Sequence, residues 1–131
     1  MSAEPTRISC QLLADPTQLR PVRHAMAAWA AGVGLTPERV EDLALAVGEA
    51  LSNSIEHAYP SDGPGPIELD GRVVESVVHV EIRDHGVWRE PRPHPGWRGR
   101  GISMIHLLAD DARVETLPDG TIVTMSWSLG L

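Results

Sequence analysis

The sequence predicts an α/β sandwich of two layers, with one mixed, mostly antiparallel sheet and three helices on one face. Three observations predict it. Apolar residues recur at three- and four-residue spacing in two stretches of the N-terminal half. Alternating apolar and polar residues mark strands around residues 67–74 and 76–84. A long stretch without periodicity, 86–101, then precedes a further helix and two more strands.

Each element has its own signal. RISCQLLA (7–14) alternates loosely and stops at Asp15-Pro16, as a first strand would. From Pro16 to Val33, Leu19, Val22, Met26, Trp29 and Ala30 line one helical face, and Gly32 and Gly34 are expected to end the helix. Thr36-Pro37-Glu38-Arg39 reads as the next helix start, with Thr36 capping and Pro37 at the first helical position. This helix should run to about Tyr59, before Pro60 and the SDGPGP loop. IELDGRVV and SVVHVEIRD form a hairpin, the second strand placing Val78, Val80 and Ile82 on one face. ISMIHLLADDA (102–112) reads as the third helix, and ARVETL and TIVTMSWSL as strands joined through Pro118-Asp119-Gly120.

Composition narrows the function. A chain of 131 residues suits one domain, expected to span 1–131. Phe is absent, so Val, Leu, Ile and Ala are expected to build the core. The formal charge of -7 disfavours non-specific binding to nucleic acid or an anionic membrane. Cys10 is alone, which excludes an internal disulfide and gives no zinc spacing. MSAEPTRIS shows no basic-then-apolar signal pattern, and no apolar run approaches the roughly 20 residues that span a bilayer. A cytoplasmic location is the expectation.

Several residues carry chemistry. Glu49, Asn53 and His57 lie one turn above another, on a stripe away from Leu43, Val47, Leu51 and Ile55. An Asn amide oxygen suits Mg²⁺, and a Glu one turn earlier suits the uptake of a hydroxyl proton. Asp84-His85-Gly86 ends an alternating strand, where a carboxylate can accept from an adenine amino group and glycine admits a flat ring. Arg98-Gly99-Arg100-Gly101 before a helix makes a phosphate cradle, because glycines let the backbone approach and the first helical N–H groups point outward. Each signal alone has a plainer reading: a solvated helix stripe, a strand-ending turn, a glycine turn.

Taken in order, "EALSNSIEHAY", "IRDHG", "RGRGISMIHLLAD" and "DGTIVTM" resemble the four nucleotide-binding boxes of the histidine-kinase-like ATPase superfamily, the Bergerat fold. The resemblance runs from Arg7 to about Ser128. The chain is most similar to the anti-sigma-factor serine/threonine-protein kinases, through "EDLALAVGEALSNSIEHAY" and "LRPVRHAMAAWA". The resemblance implies ATP and Mg²⁺ as cofactors. It implies Glu49 as catalytic base, Asn53 as Mg²⁺ ligand, and Asp84 with Gly86 at the adenine. It assigns the phosphates to Gly99, Arg100 and Gly101 and adenine-site support to Thr121. It places Arg23 on a protein-partner surface, and His57 stays a site-rim residue. The implied partners are a sigma factor, an anti-sigma-factor antagonist of STAS type and, as in similar proteins, a second copy of the chain.

The second box departs from the family pattern, with Trp88 where glycine is usual, and the lid at about 86–101 is short and Pro-rich. "DHGVWREPRP" resembles a variant of actinobacterial relatives often fused behind a phosphatase domain. Two functions therefore stand side by side. One is an ATP-dependent kinase that phosphorylates the antagonist and so regulates transcription. The other is a non-catalytic module that sequesters a sigma factor or antagonist.

Overall fold

The computed structural model describes residues 2–57, 65–86 and 104–130. Strands β1 (Ser2–Glu4) and β2 (Arg7–Leu13) precede a 3-10 turn at Pro16–Gln18 and helices α1 (Leu19–Val33) and α2 (Pro37–His57). Strands β3 (Pro66–Val74), β4 (Val77–Asp84), β5 (Asp111–Leu117) and β6 (Gly120–Ser128) follow. A short helix, 104–108, lies between β4 and β5.

The two-layer architecture is as expected, but among the described residues the sheet is not mixed. Its six strands run in the order β1-β2-β3-β4-β6-β5, and every neighbouring pair is antiparallel. The connections give the reason. Between β2 and β3 the chain makes a helical hairpin, α1 out and α2 back, and re-enters the sheet with Pro66 opposite Leu13. Two helices in place of one return the chain to the end it left, so β3 opposes β2. Strands β4 and β5 do run the same way, but β6 lies between them.

The strands alternate as the sequence indicates. Ile8, Cys10 and Leu12 of β2, Ile67 and Leu69 of β3, and Val78, Val80 and Ile82 of β4 face the helices. Against them pack Val22, Met26 and Trp29 of α1, and Leu43, Ala46, Val47, Ala50 and Leu51 of α2. The core is aliphatic in the main, yet Trp29 and Trp127 join it, which residue counts alone did not suggest. Trp127 donates its indole N–H to the Leu108 carbonyl at 2.9 Å, and Ile105 is 1% exposed, so the 104–108 helix covers the same face. Gly71 makes room for α1: a Cβ there would stand 2.9 Å from Ile8 Cγ2 and 3.0 Å from the Trp29 ring.

Element ends follow local chemistry. Asp15 accepts from the Thr17 N–H and hydroxyl, both at 2.9 Å, and opens the 3-10 turn. Gly32 lies inside α1; the helix ends at Gly34, whose φ of 112° is the left-handed cap glycine allows. Thr36 Oγ1 caps α2 by accepting the Arg39 N–H. One strand is additional to those expected, and one expectation needs correction. β1 carries no strand signal and is added by backbone pairing to β2. The third helix does not reach residue 112. Ala109 N–H makes the last helical bond to Ile105, and Asp110 N–H turns to Ser126 on β6, so the open edge of β6 captures the chain.

Two features generate measurable outcomes. The β3–β4 turn places Glu75 and Ser76 at φ of 50° and 64°, a two-residue loop in left-handed backbone that favours Asn-Gly. Glu75→Asn with Ser76→Gly should stabilise the fold by about 1 kcal/mol, read as a higher urea midpoint at unchanged slope. Asp110 accepts the Ser128 N–H at 2.7 Å and pairs with Arg39 of α2. The Ser128 N–H, with Arg39 adding to it against partial burial, holds the Asp110 carboxyl below its ordinary 3.8. Its contribution is complete above the unfolded carboxylate pKa and is lost as pH falls through the folded one. Asp110→Asn should therefore cost roughly 0.5–1 kcal/mol at neutral pH and lose that deficit in acid, in thermal melts across pH.

Candidate functional site

Two of the expected site residues, Asp84 and Thr121, meet at one end of the sheet, where the C-terminal half of α2 meets the end of β4 and the start of β6. Asp84, the last residue of β4, is 1% exposed. Its Oδ2 accepts the Ser54 hydroxyl of α2 at 2.7 Å, and its Oδ1 accepts the Thr121 N–H of β6 at 3.2 Å. Ser54 and Thr121 are each 1% exposed as well. A carboxyl group taken from water needs such donors, and hydrogen bonds to a charged acceptor are among the stronger ones.

The sequence explains this assembly locally. Register pairs Asp84 with Thr121 across β4 and β6. Gly120 precedes Thr121, and a Cβ on it would run into the Asp84 carbonyl oxygen, so only glycine lets β6 begin there. Gly86, two residues beyond Asp84, is buried. Ser54 was not singled out by the motifs, although a signal existed. It continues the row Leu43, Val47, Ala50, Leu51 at helical spacing, and a hydroxyl on a buried stripe requires a partner.

The polar row is set by the same contact. Asn53 is the neighbour of Ser54, and Glu49 lies one turn earlier; both are half-buried. His57 closes α2. Arg23 of α1 is exposed, and its stem crosses α2 at Gly48, where a Cβ would lie 3.0 Å from Arg23 Cδ. Arg23 therefore borders the helix seam one residue from Glu49. Gly99, Arg100 and Gly101, and the rest of the expected lid after Gly86, lie outside the described residues.

The cluster holds polar groups of the kind that pair with a nucleoside base. Asp84 offers acceptor atoms, and the Thr121 hydroxyl beside it is buried without a hydrogen-bond partner. A buried hydroxyl left unpaired costs about 1–3 kcal/mol, which a ligand group can recover. Among the described residues no three His, Cys, Asp or Glu side chains gather as a metal cage. Mg²⁺ carried by phosphates asks for less, only one or two protein oxygens, and Asn53 can supply one. A groove of about 880 Å³ lies elsewhere, on the outer face of the sheet between Arg7, Gln11, Glu68, Arg72 and Arg83, and none of the expected residues lines it. Nearer the site, His85 and Glu68 approach at 3.2 Å.

Comparison with known proteins agrees with this geometry. The histidine kinase-like ATPase domain family matches residues 12–127. The serine-protein kinase RsbW of Listeria innocua is 31% identical over 135 residues, covering 92% of this chain and 85% of the relative. RsbW of Oceanobacillus iheyensis is 28% identical over 91% of this chain and 84% of its own. Among solved structures, the RsbU and RsbW domains of Rv1364c from Mycobacterium tuberculosis share the fold, with a TM-score of 0.76 and 24% identity. That alignment covers 93% of this chain and 32% of the longer one. With a family match that runs from β2 into β6 and takes in every residue of the Asp84 cluster, the chain belongs to the histidine kinase-like ATPase family, alongside the RsbW serine-protein kinases.

Proposed function

We propose that the chain is an ATP-dependent serine/threonine-protein kinase that acts as an anti-sigma factor. Its substrate would be a Ser or Thr of an anti-sigma-factor antagonist, and its outcome the control of sigma-factor availability. The observation that carries the reading is the buried Asp84 carboxyl group held between Ser54 and Thr121, next to an unpaired Thr121 hydroxyl. Ser54, which donates to Asp84, is the neighbour of Asn53 on α2 and lies just over one turn from Glu49.

In this reading Asp84, Gly86 and Thr121 receive the adenine, Asn53 holds Mg²⁺, and Gly99, Arg100 and Gly101 hold the phosphates. Bound ATP·Mg²⁺ supplies the transferable phosphoryl group with its charge partly neutralised. Glu49 orients the attacking hydroxyl and takes its proton, which a side chain one turn from the metal ligand can reach. Arg23, at the α1–α2 seam, meets the protein substrate as it approaches Glu49. The added phosphate then weakens the antagonist complex by charge and desolvation. A homodimer and a cytoplasmic location complete the proposal. No helix of the described residues is long and apolar enough to cross a membrane.

The test is phosphoryl transfer from ATP to a purified antagonist domain, read as phosphoserine or phosphothreonine. Glu49→Gln should lower the rate about 10²–10⁴-fold while ATP binding persists. Asn53→Ala should abolish the Mg²⁺ dependence of binding. A wild-type chain that binds antagonist yet shows no heat or thermal shift with ATP·Mg²⁺ would replace the kinase with a sequestering module.

A further inference from the structure

Gly48 lies in the interior of α2, a helix of 21 residues. Glycine weakens a helix interior relative to alanine, so one found there needs a reason. Its backbone supplies none, because it is not among the residues of positive φ. Nor does the core supply one. The three heavy atoms nearest to a Cβ on Gly48 all belong to Arg23 of α1: Cδ at 3.0 Å, Nη1 at 3.7 Å and Cγ at 3.8 Å. Gly71 differs, since a Cβ there would meet the buried Ile8 and Trp29. The stem of Arg23 is thus seated on α2, while its guanidinium makes no ion pair among the described residues. Arg20, Arg23 and His24 follow at helical spacing and are all exposed, so α1 shows a basic strip on a chain whose formal charge is -7. Leu45, 48% exposed, stands about one turn before Gly48 on α2.

We propose that Gly48 is a positioning residue for docking of the protein substrate. Its missing side chain lets Arg23 cross α2, and the seated stem holds the guanidinium ready for a carboxylate of that substrate. This rests on the kinase reading above and adds to it the chemistry of the docking face: acidic groups around an apolar contact with Leu45. A guanidinium grips a carboxylate through two parallel N–H donors, so the pair depends on where the fork is aimed as well as on its charge. A side chain at position 48 leaves the charge of Arg23 intact and moves its aim. The helix itself gains by the same change, so stability and docking should respond in opposite directions.

The experiment follows phosphoryl transfer by the full chain from ATP·Mg²⁺ to a purified STAS-type antagonist domain, with a thermal melt of every variant. The proteins are wild type, Gly48→Ala and Gly48→Gln, each also combined with Arg23→Ala. Gly48→Ala should raise Tm by about 2–5 °C, because alanine is the better helix former. Both substitutions should nonetheless raise KM for the antagonist at unchanged kcat, roughly threefold for Ala and about tenfold for the bulkier Gln. In the Arg23→Ala background neither should raise KM further, since the residue they displace is gone. A fall in Tm for Gly48→Ala, no rise in KM for either variant, or the same rise with and without Arg23 would overturn the role given to Gly48. A wild-type chain that transfers no phosphate to the antagonist would instead overturn the kinase reading, and this proposal with it.

Discussion

Asp84 carries a carboxyl group into the interior where α2, β4 and β6 meet, and the architecture around it answers the cost of that burial. The group needs donors within reach, and the fold brings one from a helix and one from a strand. That requirement constrains residues far apart in the chain. Ser54 must face the sheet from α2, Thr121 must open β6 opposite Asp84, and Gly120 must lack a side chain. Once α2 is tied to β4 this way, Asn53 and Glu49 have no freedom of azimuth. Both are half-buried, Asn53 beside Ser54 and Glu49 just over one turn before it.

The topology serves the same end. The α1–α2 hairpin leaves and re-enters the sheet between Leu13 and Pro66, and it lays both helices across one face. The opposite face keeps its charges, with Arg7 on Asp70 at 3.2 Å. One face of an antiparallel sheet is thus dry and packed while the other stays wet, the usual division for such sheets.

Much of this was legible in the sequence, for identifiable reasons. Alternation in β4 and the turn chemistry at Thr36 and Gly34 are local signals, and local physics decides them. The polar row Glu49–Asn53–His57 was visible because helical spacing sets it apart from the apolar stripe. What escaped depends on partners distant in sequence. β1 exists because β2 offers it a backbone edge, and the 104–108 helix stops short because β6 takes Asp110. The all-antiparallel pairing follows from where the connections re-enter the sheet, which no periodicity encodes. Ser54 was missed because its meaning lies in Asp84, thirty positions later.

Asp110 has a role beyond stability. It is held by Ser128 on β6 and by Arg39 near the start of α2, a few residues past the stretch 87–103. At the other end of that stretch, Asp84 is moored just as firmly. Asp84 and Asp110 thus tie the two ends to the same pair of elements, each carboxyl group joining α2 to β6.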